Sequence, residues 1–124
     1  TLGADPIADA VAYTSYLKDK PIQAFVVRKS AKSHGTMQWI EGNVKAGDRV
    51  VVVDDVITTG KSTIEAITRA REAGLEIVKV VALVDRQEGG YEAVLESIKD
   101  IKADYNLVEP VITRDEVMAL YKPL

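Results

Sequence analysis

Apolar residues fall along this chain in two rhythms. RVVVVDD at 49–55 and EIVKVVALV at 76–84 are almost continuously apolar, the pattern of strands buried on both faces of a parallel sheet. Between and around them the apolar positions recur at helical spacing, in IADAVAYTSYL (7–17), STIEAITRAREAG (62–74) and YEAVLESIKDI (91–101), with a last short helix in RDEVMALY (114–121). Asp5 as N-cap and Pro6 at the first helical position start the first helix, and Lys18-Asp19-Lys20-Pro21 stops it. Gly74 ends the second. IQAFVV (22–27) predicts a short buried strand, TMQWIEG (36–42) a short strand or hairpin arm, and NLVEPVIT (106–113) a weaker final strand.

Strands alternating with helices of this length predict parallel βαβ units, a Rossmann-like α/β fold with helices on both sheet faces. Ligands of such sheets sit beyond the carboxyl ends of the strands, near a switch in strand order. Three loops therefore share one rim, residues 28–35, 54–63 and 85–90, and the opening residues before Asp5 join them.

Composition narrows the chemistry. With 124 residues, 47% hydrophobic and 28% charged, the chain forms one globular domain over 1–124. It has no cysteine and one histidine, which removes thiolate nucleophiles, cysteine-ligated zinc and histidine-rich metal sites. No apolar run reaches the eighteen or so residues of a membrane span, and no secretory signal is visible, so a cytoplasmic protein without a membrane partner is expected. A net charge of -3 argues against nucleic acid as a partner. Against that acidic background RKSAKSH (28–34) gathers three cations and the only histidine. The chain opens on TLGADP with no initiating methionine, which reads like the middle of a loop and suggests a piece, a processed form or an engineered one.

TTGKST (58–63) invites a P-loop reading, but that motif needs a glycine at position 55, where this chain has Asp55. A monophosphate still suits the segment. Thr58, Thr59, Ser62 and Thr63 supply hydroxyls, Gly60 permits close backbone approach, Lys61 adds a cation, and the following helix directs free N–H groups at an anion. The alternative is a Ser/Thr-rich helix cap. Asp54 and Asp55 can accept hydrogen bonds from vicinal hydroxyls, hold a hydrated divalent cation, or form a solvated turn. Where the strand ends, both can turn toward one ligand.

VVVVDDVITTGKST resembles the phosphoribosyl-pyrophosphate (PRPP) signature of type I phosphoribosyltransferases. FVVRKSAKSHG is similar to the mobile loop of the orotate branch, and ALVDRQEGG to that branch's base-recognition segment. The resemblance implies a type I phosphoribosyltransferase core lacking most of the N-terminal hood, acting on orotate and PRPP to give orotidine monophosphate and pyrophosphate. It further implies Mg2+ as cofactor, reached through PRPP and water rather than by direct protein ligands, and a homodimer with shared active sites. Asp54 and Asp55 would hold the ribose hydroxyls. Thr58, Thr59, Gly60, Lys61, Ser62 and Thr63 would bind the 5′-phosphate, and Gly3, Ala4, Arg28, Lys29, Lys32 and His34 the pyrophosphate. Thr58 and Arg86 would meet orotate, and Lys32, His34, Asp54 and Asp55 would carry the catalytic role. Alternatives are a PRPP-binding module, a catalytic core without efficient turnover, or transfer to another base. Read without the family, RKSAKSHG alone is a solvated basic loop, a reading that its place on the ligand rim reverses for Lys32 and His34, and Arg86 is an even choice between a ligand contact and a surface ion pair. Trp39 and the tyrosines are expected in core or interface, and Phe25 in the core.

Overall fold

The computed structural model describes residues 3–35 and 37–121, so Thr1 and Leu2 of the opening segment and Thr36 of TMQWIEG lie outside the described residues. The elements in chain order are α1 (Asp5–Leu17), β1 (Phe25–Val27), β2 (Ile40–Gly42), β3 (Arg49–Ile57), α2 (Lys61–Glu72), β4 (Glu76–Asp85), α3 (Gly90–Ser97), β5 (Val108–Thr113) and α4 (Arg114–Leu120). β3, β4 and β5 form a three-stranded parallel sheet in that order. The expected parallel α/β architecture is present, but these three strands follow chain order without a switch.

One sheet face carries the core. Val50 and Val52, Val80 and Ala82, and Val108 lie side by side across the three strands and are closed over by Ile67 and Ala70 of α2, Val94 of α3 and Ile98. In α2 the buried Thr63, Ile67 and Ala70 recur at the spacing of one helix face. Gly74, at φ +83°, ends this helix: its N–H donates to Arg71 O and the N–H of Leu75 donates to Ala70 O, which satisfies carbonyls of the last turn. The opposite sheet face meets α1 at β3 but leaves Val51, Leu83 and Val111 exposed.

Several elements differ from the sequence reading. Asp5 is the first helical residue and Ala4 the N-cap, without a side-chain cap. β1 is three residues long and half-buried, and it pairs antiparallel with β2 instead of joining the parallel sheet. The two strands are joined by residues 28–39, the basic loop and the turn after it, with no helical crossover among the described residues of the kind a parallel neighbour would require. Phe25 packs against the core from this hairpin. α3 stops at Ser97 because the chain then turns to bury Ile98 completely, while Asp100 is drawn to Arg71 at 3.0 Å. Tyr13, Tyr16, Tyr105 and Tyr121 are exposed and only Tyr91 packs on the core. α4 begins with a reciprocal cap between Thr113 and Glu116. Among the described residues no helix is long and apolar enough to cross a membrane.

Ile98→Ala removes a fully buried side chain from beneath α3. It is expected to destabilise the fold by about 3 kcal/mol, seen as a lower urea midpoint at unchanged slope.

Candidate functional site

β3 does not end at the acids. Val56 and Ile57 continue the ladder, opposite Val84 and Asp85, so Asp54 and Asp55 alternate to opposite faces of the strand instead of turning together at its exit. Asp54 points toward α2 and is buried. Its Oδ2 accepts a 2.6 Å hydrogen bond from Thr63 Oγ1 and a longer one, 3.4 Å, from Ser62, while Oδ1 accepts the N–H of Asp55 at 2.8 Å. Asp55 is half-buried on the other face, where Oδ1 accepts the N–H of Val56 at 2.9 Å and Oδ2 lies against Gly3. A Cβ at position 3 would stand 2.0 Å from that oxygen, so any side chain there displaces the carboxylate. The opening residues Gly3 and Ala4 are thus brought to the acids, as the rim argument anticipates.

Among the described residues neither acid is paired with a lysine or arginine. Burial pushes the Asp54 carboxyl above its ordinary value, with the Thr63 hydrogen bond pulling the other way. Asp55 is held below the ordinary value, first by its hydrogen bonding with the Asp54 carboxyl and then by the backbone N–H groups around it.

α2 starts next to this pair. Gly60, at φ +84°, is its N-cap, no side chain caps the helix, and its first turn has no acid. The Thr59 hydroxyl stands 3.5 Å from the Lys61 nitrogen, at the outer limit of a hydrogen bond. The Ser/Thr-rich segment is therefore not a helix cap, and the first N–H groups of α2 are left for something else. Thr58 is half-buried, Thr59, Lys61 and Ser62 are exposed, and Thr63 is spent on Asp54.

The loop after β4 is fastened to the loop after β3. The N–H of Arg86 donates to Ile57 O and that of Gly90 to Thr58 O, each at 3.0 Å. Gly60 and Gly90 pass so closely that a Cβ on Gly90 would lie 2.5 Å from Thr58 O. Arg86 therefore sits beside the α2 start, its guanidinium in an exposed 3.1 Å ion pair with Glu88.

The basic loop is carried by the β1–β2 hairpin, closed by Arg28 N–H to Trp39 O at 2.8 Å and Lys32 N–H to Gln38 O at 2.6 Å. Arg28 reaches Glu41 and the Ser30 carbonyl, Lys32 is half-buried, and Lys29 and His34 are exposed. Trp39 lies under the Arg69 guanidinium, 3.6 Å from ring centre to Cζ, which ties the hairpin to α2. No hydrogen bond or ion pair among the described residues joins the loop's cations to Asp54, Asp55 or residues 58–63. An open apolar groove of about 560 Å³ along α1, between Pro6 and Lys18, contains none of the site residues. The roles of Thr63 as Asp54's partner and of Gly90 as a close-contact point escaped the sequence reading; the second was signalled by the Gly-Gly at 89–90.

The model of the phosphoribosyl transferase domain matches residues 3–110. The orotate phosphoribosyltransferase of Aquifex aeolicus is 52% identical over 94 residues, covering 76% of this chain and 51% of that protein. That of Rhodopseudomonas palustris (strain BisB5) is 47% identical over 112 residues, 87% of this chain and 60% of that protein. The chain spans about half the length of the curated relatives it matches. Among solved structures, Mycobacterium tuberculosis orotate phosphoribosyltransferase in complex with PRPP superposes with TM-score 0.76 at 37% identity, over 94% of this chain and 61% of that one.

Because the folded-state value of Asp54 lies above its ordinary 3.8, this group binds more protons in the folded than in the unfolded chain between those values, and its contribution to stability falls as pH rises through them. Asp54→Asn is expected to raise the melting temperature at neutral pH, with the gain vanishing below the ordinary value of 3.8. A lower melting temperature at neutral pH would show that the ionised carboxylate is stabilising where it sits.

Proposed function

The chain belongs to the phosphoribosyl transferase domain family, and we propose that it transfers the ribosyl phosphate of PRPP to orotate, forming orotidine monophosphate and pyrophosphate. The observation that carries the reading is the uncapped start of α2 beside two carboxylates that no described cation neutralises. A sugar phosphate answers both features. Its phosphate meets the N–H groups of α2 and the hydroxyls of Thr58, Thr59 and Ser62, with Lys61 adding charge and Gly60 letting the backbone approach. Its vicinal ring hydroxyls donate to the Asp54–Asp55 pair beside the α2 start. Thr63 acts through Asp54, which it holds in place.

Arg86, next to Thr58 through the Ile57 bond, takes the orotate carboxylate. Its exposed pair with Glu88 is weak and yields to a ligand carboxylate. Deprotonated N1 of orotate attacks the anomeric carbon; the C–N bond forms as the bond to pyrophosphate oxygen breaks, and the electron pair leaves with pyrophosphate. Gly3, Ala4, Arg28, Lys29, Lys32 and His34 meet the departing charge, the main electrostatic demand of this step. Lys32 and His34 serve the site of a neighbouring subunit in a homodimer, from a loop carried by the separate β1–β2 hairpin, on which His34 is exposed. A closing loop of this kind excludes water from an oxocarbenium-like centre.

Among the described residues no three acidic or histidine side chains cluster as a metal cage. The two carboxylates would instead suit a hydrated magnesium ion entering with PRPP, held through water near Asp54 and Asp55 rather than by direct protein ligands. Bound there, magnesium supplies neutralisation of pyrophosphate charge.

A second reading is a PRPP-binding module without turnover, likewise in the cytoplasm, which differs from the first in leaving orotate unconsumed. Loss of orotate absorbance in the presence of PRPP and magnesium, with pyrophosphate released in equal amount, is the expected result. PRPP binding without orotate consumption would favour the module, and neither binding nor turnover would sink both. In the active protein Lys32→Ala is expected to lower kcat about a hundredfold while changing PRPP affinity far less. An unchanged kcat would remove Lys32 from the mechanism.

A further inference from the structure

We propose that Gln87 is a positioning residue that latches the 85–90 loop to α4, sets Arg86 and thereby selects an anionic planar base over an uncharged one. The base-selecting half of this inference rests on the transferase reading above; the latch does not.

Gln87 has φ +58°, one of only two non-glycine residues with positive φ among the described residues. That conformation is costly for a long side chain and persists only where its surroundings over-determine it. Two hydrogen bonds do so here. The Gln87 N–H donates to Oδ1 of the buried Asp85 at 2.9 Å, and Gln87 Oε1 accepts the N–H of Asp115 at 2.8 Å, across 28 positions of chain.

The Asp115 N–H belongs to the first turn of α4, where the reciprocal Thr113–Glu116 cap serves Glu116 but not Asp115. Gln87 supplies the missing acceptor.

Arg86 is thus held from two sides. Its own N–H is tied to Ile57 O at the end of β3, and the next residue is tied to α4 at the end of β5. The guanidinium has no comparable restraint, since its contact with Glu88 is exposed on both partners. Backbone placement, more than side-chain packing, therefore sets the point from which the Arg86 side chain reaches, and a carboxylate on a flat ring is met bidentately only from a suitable starting point. An uncharged base offers the guanidinium no carboxylate to fork onto.

Three variants separate the parts of the latch. Gln87→Met keeps length and loses the acceptor, Gln87→Gly frees φ and loses the acceptor, and Gln87→Glu keeps the acceptor next to the helix start, where negative charge is favoured. Backbone amide exchange is measured at residues 86–89 and 115, together with KM for orotate and for PRPP. In Q87M and Q87G exchange is expected to quicken at both places. Their KM for orotate is expected to rise about fivefold, the worth of one neutral hydrogen bond, with KM for PRPP unchanged. Q87E should match the wild type in both measurements. Unchanged exchange in Q87M overturns the latch, and a parallel rise of both KM values overturns the link to Arg86. A wild type that leaves orotate unconsumed while the exchange differences persist overturns the transferase reading and the base-selecting role, and supports the latch.

Discussion

The hydrogen bond from Thr63 to the buried carboxylate of Asp54 is the contact on which the site depends. A carboxylate out of water is costly, and here its protein partners are two hydroxyls and one backbone N–H, with no described cation. Thr63 is the third residue of α2, so the bond fixes the beginning of that helix against β3. The helix start keeps its positive end open and the strand keeps a charge that is only partly offset. Strain of this kind is the ordinary accompaniment of a binding site, because the missing partners are those of a ligand.

The second constraint is steric. Gly60 and Gly90 allow two loops to pass within a distance no side chain would permit, and Arg86 and Gly90 donate across the seam to Ile57 and Thr58. The loops after β3 and β4 are consequently fastened to each other, above the core that Val50, Val52, Val80, Ala82 and Val108 form with α2 and α3. The cationic loop is attached differently, through a separate two-stranded hairpin and the stacking of Trp39 on Arg69. A rigid rim for holding and a hairpin-borne loop for charge suit a reaction in which one product departs as an anion.

Much of this was legible in the amino-acid order. The continuous valines of β3 and β4 announced parallel-sheet strands, although only one face carries the core and Val51 and Leu83 stay exposed on the other, and the spacing of Ile67 and Ala70 announced the helix that covers the buried face. The rim loops followed from that topology, and with them the neighbourhood of Gly3, Asp55, Thr58 and Arg86. What stayed hidden depends on partners distant in the chain. β1 reads as one more buried strand because nothing local distinguishes a hairpin from a sheet strand of three residues. The acids read as a strand's end because Val56 and Ile57 join the ladder only through β4. The end of α3 is set by where Ile98 finds a cavity, and the unusual backbone of Gln87 by an N–H of α4 that lies far along the sequence.

On the proposed function the α2 start and the two acids hold a ribose 5-phosphate between them. An amide NMR titration of the isotope-labelled chain with that sugar phosphate tests it most directly. The account predicts the largest downfield shifts at Gly60, Lys61 and Ser62, with accompanying changes at Asp54 and Asp55 and little change along the groove of α1. Saturable shifts confined to the basic 28–35 loop, with the α2 amides unmoved, would contradict it.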